Sequence, residues 1–139
     1  MFPAAVSDGC GVARFHIARR NRSTSHLDGF GTTQTGGIRA TELVPTVSLD
    51  WLAGHFPLPD IIKIDVEGAE ALVLSGGPAV LGAHPRIICE VARENAVTVG
   101  DLLVNSGYTL YDGERPASRR HPIDEASANT LAIHEREHD

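Results

Sequence analysis

The sequence is short of cysteine, of positive charge and of long apolar runs, and each shortage removes a class of function. Cys10 and Cys89 are its 2 cysteines. They are too few and too far apart for a disulfide framework or a zinc ribbon, which fits a reducing, cytoplasmic setting. Lys and Arg number 12 against 18 Asp and Glu, a net charge of -6. That balance argues against broad electrostatic binding to nucleic acid or an anionic membrane surface. No apolar stretch approaches the ~20 residues of a membrane span. The N-terminus also lacks a basic region followed by a long apolar core, so neither secretion nor anchoring is indicated. No internal repeat is visible. What remains is 139 residues with 42% hydrophobic content, one domain's worth of soluble globular protein with material for a core.

The most informative stretch is Asp60-Ile61-Ile62-Lys63-Ile64-Asp65-Val66-Glu67-Gly68-Ala69-Glu70. Ile61, Ile62 and Ile64 read as a strand covered on both faces, since β-branched residues suit a pleated surface and a buried parallel strand lacks clean polar alternation. Asp65, Glu67 and Glu70 then crowd the start of a helix, with Gly68 free to turn tightly. Open α/β sheets bind ligands beyond the carboxyl ends of their strands, so this acidic strand-to-helix corner is the candidate site.

Ahead of it, Phe2 to Val6 reads as a strand end running into the Ser7-Asp8-Gly9 turn, and Val12 to Ile17 as a half-exposed strand with Phe15 and Ile17 on one face. Residues 21–37 are rich in Ser, Thr, Gly and Asn and read as a long mobile loop. Ala40 to Val47 is expected to be an edge strand because Pro45 cannot donate to a ladder. Ser48 caps a two-turn helix that ends before Pro57. After the corner, Ala69, Leu72, Val73 and Gly76 keep helical spacing, and Gly76-Gly77-Pro78 ends that helix ahead of a short one to Leu81. Pro85 to Val91 is a buried strand closing near Glu90, and residues 97–104 form an amphipathic helix stopped by Gly107. Tyr108 to Tyr111 is a strand, residues 112–127 a polar loop, and Asn129 to Ile133 the last strand. The alternation of strands and helices predicts a mostly parallel α/β sheet.

These residues resemble the C-terminal part of the FkbM-type S-adenosylmethionine-dependent methyltransferases. Ile62-Lys63-Ile64-Asp65-Val66-Glu67-Gly68-Ala69-Glu70 carries most of the resemblance. Ala5-Val6-Ser7-Asp8 with Gly9 and Gly11, the loop Asn21-Arg22-Ser23-Thr24-Ser25-His26-Leu27, Val47-Ser48-Leu49-Asp50, and Cys89-Glu90-Val91 fall in matching order. The resemblance implies a Rossmann-like class I methyltransferase sheet, S-adenosylmethionine as methyl donor, and O-methylation of a sugar or secondary-metabolite hydroxyl. It also implies that Asp65 lies beside the cofactor's methyl group, with Glu67 as acceptor-orienting group or base. Ala5, Val6 and Ser7 would flank the adenine, and Glu90 and Ser25 would face the acceptor.

The family normally adds, further upstream, a strand with a glycine-rich turn and a second strand ending in an acid that holds the ribose. Neither is found here; Gly9-Cys10-Gly11 and Gly29-Phe30-Gly31 are turn chemistry. The expectation is therefore a single truncated domain over residues 1–139, with 1–47 supplying a strand end, hairpin and polar loop and 48–139 the α/β core. The strand at Ile61 to Ile64 would then expose an apolar edge, inviting a homodimer or a partner chain. The alternative function is a non-catalytic remnant or assembly subunit completed by another chain.

Four blander readings complete the expectations. Glu70 complements a helix N-terminus. His134-Glu135-Arg136-Glu137-His138 matches the HExxH pattern of zinc hydrolases, but with only Asp139 beyond it there is no room for a helix or a third ligand, and it reads as a charged tail without metal. Cys89 is a buried apolar residue, and the remaining histidines, His16 and His26 among them, read as surface residues.

Overall fold

A computed structural model describes residues 2–19, 25–30 and 37–134. Two sheets organise them. The first is four-stranded, in the order β1 (Ala5–Val6), β4 (Ile38–Val47), β2 (Gly11–Ala18), β3 (His26–Leu27). The second is five-stranded, in the order β5 (Ile61–Ile64), β6 (Arg86–Glu90), β9 (Asn129–Ile133), β7 (Thr109–Asp112), β8 (Pro122–Ile123).

In the small sheet, β2 and β4 form a long antiparallel hairpin, and β3 pairs Leu27 with Phe15 and His26 with His16. The expected long loop therefore contains a strand. Two residues hold it because both are buried against the hairpin, with His26 7% and Leu27 8% exposed. Residues 20–24 and 31–36 of that loop, with Asn21, Arg22 and Ser23, lie outside the described residues. The edge assignment for β4 is corrected: it lies between β1 and β2. Pro45 is tolerated because β1 pairs only with Thr46 and Val47, so at Pro45 the strand has a neighbour on one side only.

Helix α1 (Leu49–Ala53) starts as expected: Ser48 Oγ accepts a hydrogen bond from the Trp51 N–H at 3.1 Å. The Asp50 carboxylate reaches across to α3 (Pro78–Gly82), accepting from the N–H groups of Ala79 at 3.1 Å and Val80 at 3.0 Å. The free N–H groups that open α3 are thus satisfied by a residue distant in the chain. Helix α2 (Glu70–Ser75) ends at Gly76, where a Cβ would collide with the Ser7 carbonyl oxygen and stand 2.9 Å from Asp8 Cα. Only glycine lets the end of α2 touch the chain leaving β1 so closely.

In the large sheet β5 and β6 are parallel, while β9 runs antiparallel to both β6 and β7. One parallel ladder replaces the expected mostly parallel sheet, since β9 is inserted between two strands that run the same way. The polar loop between β7 and β9 also contributes β8, paired with β7. One face is packed under α2, α3 and α4 (Ala96–Asn105): Ile64, Val73, Leu74, Leu81, Ile87, Cys89, Val99, Leu103, Leu110 and Ala132 form its core. Fully burying such side chains stabilises by about 1.5 to 3 kcal/mol each.

The opposite face is more open. Ile61 is 58% and Ile88 41% exposed, so β5 is not covered on both faces. Ile61 and Lys63 alternate outward while Ile64 turns into the core. β5 is also an edge strand, its outer side without a neighbour in the sheet among the described residues. No helix among the described residues is long and apolar enough to cross a membrane.

Candidate functional site

The site is built where β5 and β6 end together. Their register pairs Ile64 with Cys89, so the residues at the two strand ends, Asp65 and Glu90, come side by side. Lys63 joins them, its Nζ donating to Asp65 Oδ2 at 2.9 Å and to Glu90 Oε1 at 2.7 Å. The Glu90 and Asp65 carboxylates hold the ammonium above its usual range, in that order of effect. All three side chains are about half exposed, so the pairs add little stability. Their role is to fix two carboxylates at a set separation.

The turn that follows is unusual. Glu67 has φ 51° and Gly68 φ 104°, two consecutive residues in left-handed territory. For Glu67 this costs of order 1 kcal/mol or more. A buried carboxylate holds the turn. Glu70 is 1% exposed; its Oε1 accepts the Gly68 N–H at 2.7 Å and its Oε2 accepts Asn95 Nδ2 at 2.7 Å, while Asn95 Nδ2 also donates to the Gly68 carbonyl at 2.7 Å. Glu70 therefore does more than complement a helix N-terminus. Asn95 had no sequence signal: it ends a 3-10 turn, Arg93–Asn95, that precedes α4.

The turn carries Glu67 into a cleft of about 350 Å³ lined by Asp65, Glu67, Glu90, Val91, Glu94 and Asn129. Burial, followed by the charges of Asp65, Glu90 and Glu70, pushes the Glu67 carboxyl above its ordinary range, and His26 acts in the opposite sense. Cys89 lies beneath the corner, its thiol pushed up to about 12 by burial and then by the same carboxylates. It is an inert, buried residue, as expected.

The other predicted site residues stand elsewhere. Ala5 and Val6 form β1, and Ala5 lines an apolar groove of about 250 Å³ with Pro3, Ala4, Phe15 and Val44. Ser7 is buried, its Oγ donating to Asp8 Oδ1 at 3.1 Å. Its carbonyl rests against Gly76, one end of a six-residue helix whose other end is the acidic corner, roughly 9 Å away along the axis. Ser25 lines a separate groove of about 350 Å³ with Phe15, Ile17 and Arg39, its Oγ accepting the Ala18 N–H at 3.2 Å. The structure thus brings Asp65, Glu67 and Glu90 together and leaves Ala5, Val6, Ser7 and Ser25 outside that cleft.

Among the described residues, no group of three or more His, Cys, Asp or Glu is arranged to hold a metal ion. His134, the first residue of the HExxH match, stacks on His84 with ring centroids 3.5 Å apart; residues 135–139 lie outside the described part. The surface assignment of His26 is corrected by its burial in β3. His16 is only half-buried and keeps its link to the exposed Asp28.

Two measurements check this geometry. Asn95→Ala strands one oxygen of the buried Glu70 carboxylate and should cost roughly 1 to 3 kcal/mol in urea unfolding; an unchanged midpoint would show that the turn does not need the clamp. For Glu67, a carboxyl raised in the folded state binds its proton more tightly than in the unfolded chain. Its contribution thus lowers stability as pH rises through and above 4.5, the ordinary value. Glu67→Gln should therefore be more stable than the parent at pH 7, with the gain shrinking below pH 4.5; a gain independent of pH would contradict the raised carboxyl.

Comparison with known proteins bears on the same stretch. No curated protein sequence and no solved structure matches the chain. A family model described as the methyltransferase FkbM domain matches residues 1–109, a span that includes β5, the acidic turn, the buried Glu70–Asn95 clamp and the end of β6. The chain belongs to the FkbM methyltransferase family.

Proposed function

We propose that the chain is an S-adenosylmethionine-dependent methyltransferase that O-methylates a hydroxyl of a sugar or secondary metabolite in the cytoplasm. The observation that carries this reading is the set of carboxylates at the carboxyl ends of parallel β5 and β6, fixed by Lys63 and by the Glu70–Asn95 clamp. Such a cleft suits the donor, because a sulfonium and an α-ammonium are cations and Asp65 and Glu67 offer them negative charge. When bound, the donor supplies an activated methyl group. Asp65 is assigned to the cofactor side of the cleft, and Glu67 to the acceptor as orienting group or base; both align the acceptor for in-line attack. Glu90 and Ser25 are assigned to acceptor contacts and Ala5, Val6 and Ser7 to the adenine. For that second group the reading requires the two sheets to close further on a bound cofactor.

On this reading residues 1–139 form one domain, with 1–47 as strand end, hairpin and loop and 48–139 as the α/β core. The large sheet is then part of a Rossmann-like class I sheet that is incomplete on the β5 side. A second reading has a specific observation in its favour: the unpaired β5 edge and the exposed Ile61 and Ile88. It is a subunit that completes its sheet with a second copy or another chain and is not catalytic alone.

Titration calorimetry with S-adenosylmethionine should give saturable binding, weakened about tenfold or more by Asp65→Asn, which removes one charge-assisted contact. No binding up to millimolar donor would sink catalysis by the chain alone. Light scattering addresses the edge: a dimer or larger species is expected, and a monodisperse, thermally stable monomer would count against partner pairing through β5.

A further inference from the structure

We propose that Asn129 selects the acceptor: together with Glu90 it reads the hydroxyl next to the one that is methylated, so that the acceptor is an uncharged vicinal diol. The proposal rests on the methyl-transfer reading and deepens it by naming the acceptor class. Glu114, which holds the Asn129 amide, is a positioning residue.

Asn129 opens β9 and lines the same cleft as Asp65, Glu67, Glu90 and Glu94. Its partner across the antiparallel ladder is Glu90. Residues directly opposite in such a ladder face the same way, with Cβ atoms roughly 5 Å apart, so an amide and a carboxylate stand side by side on one wall. The amide is held firmly. Its Nδ2 donates to Glu114 Oε1 at 2.8 Å, and the Asn129 carbonyl accepts the Gly113 N–H at 2.7 Å and Ser127 Oγ at 3.0 Å. The approach at Gly113 is close, since a Cβ there would stand 2.8 Å from the Asn129 carbonyl oxygen. Glu114 is placed by its own turn: its N–H donates to Asp112 Oδ1 at 3.0 Å, and Arg115 Nε donates to Asp112 Oδ2 at 3.2 Å. A carboxylate can only accept, so Glu114 must face the nitrogen of the Asn129 amide and not its oxygen, which settles the way the group points. That contact uses one amide hydrogen of two.

Among the described residues lining the cleft, Asn129 carries the one side-chain N–H donor; the other polar side chains are carboxylates. A hydroxyl both donates and accepts. Against carboxylates alone it can place its hydrogen but finds no donor for its oxygen, whereas between Glu90 and Asn129 it gives a hydrogen to one and takes a hydrogen from the other. The hydroxyl satisfied in this way is the neighbour of the reacting one, whose own hydrogen is directed to Glu67, the assigned orienting group. Two hydroxyls on adjacent carbons are then held at two points, which fixes the rotation of the acceptor as well as its place, as in-line attack requires. A lone alcohol leaves the Asn129 N–H and the Glu90 oxygen unmatched, and a site built to hydrogen-bond a hydroxyl discriminates against the analogue that lacks it. An acceptor bearing a phosphate or carboxylate meets Asp65, Glu67, Glu90 and Glu94 as like charges. Diol recognition and neutrality therefore come from the same wall.

The test uses cis-1,2-cyclohexanediol and cyclohexanol, which differ by one hydroxyl. In the unsubstituted protein without donor, the diol should shift the Asn129 side-chain amide resonance saturably and cyclohexanol should not; an equal response to both, or none to the diol, overturns the proposal. This readout needs no variant to fold. With S-adenosylmethionine present, kcat/KM for methyl transfer should favour the diol by about tenfold to a hundredfold, the worth of one or two hydrogen bonds to a partly charged site. Asn129→Ala should bring that ratio close to one by lowering the value for the diol alone, and Glu114→Gln, which frees the amide to turn over, should lower the ratio in the same direction. A fall shared equally by both probes marks a purely structural role and overturns the proposal, as does a ratio that either variant leaves intact. A parent that binds the donor and methylates neither probe overturns it as well. A parent that binds no S-adenosylmethionine defeats the methyl-transfer reading, while the resonance shift still decides whether Asn129 reads a diol.

Discussion

The acidic corner depends on one buried carboxylate. Glu70 lies almost wholly out of water, a position a charged group holds only with hydrogen-bonded partners. It has them in the Gly68 N–H and the Asn95 amide. The clamp fixes the left-handed pair at Glu67 and Gly68, ties the start of α2 to the turn before α4, and sets where Glu67 stands relative to Asp65. Replacing the clamp by apolar packing would leave the Gly68 N–H and carbonyl without partners and Glu67 without a reason to keep its strained backbone.

Around this point the chain divides its labour between two sheets. The large sheet gives a rigid floor of Ile64, Ile87 and Cys89 under the corner, which keeps the carboxylates of Asp65 and Glu90 in register. The small sheet is joined to it at Gly76, where a backbone-to-backbone approach leaves no space for a side chain, and it carries His26 and the His16–Asp28 pair. The negative cleft and the imidazoles therefore belong to different sheets.

Most elements were legible because local chemistry and tertiary packing agree. Ser48 caps α1, Gly76-Gly77-Pro78 separates α2 from α3, and Ile61 to Ile64 form the strand that their β-branching suggests. What was not legible depends on partners remote in sequence. His26 and Leu27 have no periodicity of their own and become a strand only against Phe15 and His16. Asn95 has the composition of any turn residue, and its value appears only once Glu70 is beneath it. The antiparallel setting of β9 cannot be read from Asn129 to Ile133, since strand direction is a property of the connection. In the site, the acids following Ile64 announced themselves by crowding one corner, and the family match falls on that stretch.

The insertion of β9 has a consequence for how the molecule forms. β6 and β7 do not touch each other; each is paired instead to β9, which is synthesised after both. Until that strand arrives, the sheet is two fragments, β5 with β6 and β7 with β8, and the apolar faces of Ile87 and Leu110 lack the Ala132 that lies between them. Closing the sheet thus waits on contacts distant in sequence, which slows folding and prolongs the exposure of unpaired strand edges. A newly made chain is most vulnerable to aggregation just before its last strand inserts, and a chaperone acting late in synthesis would find those open edges to hold.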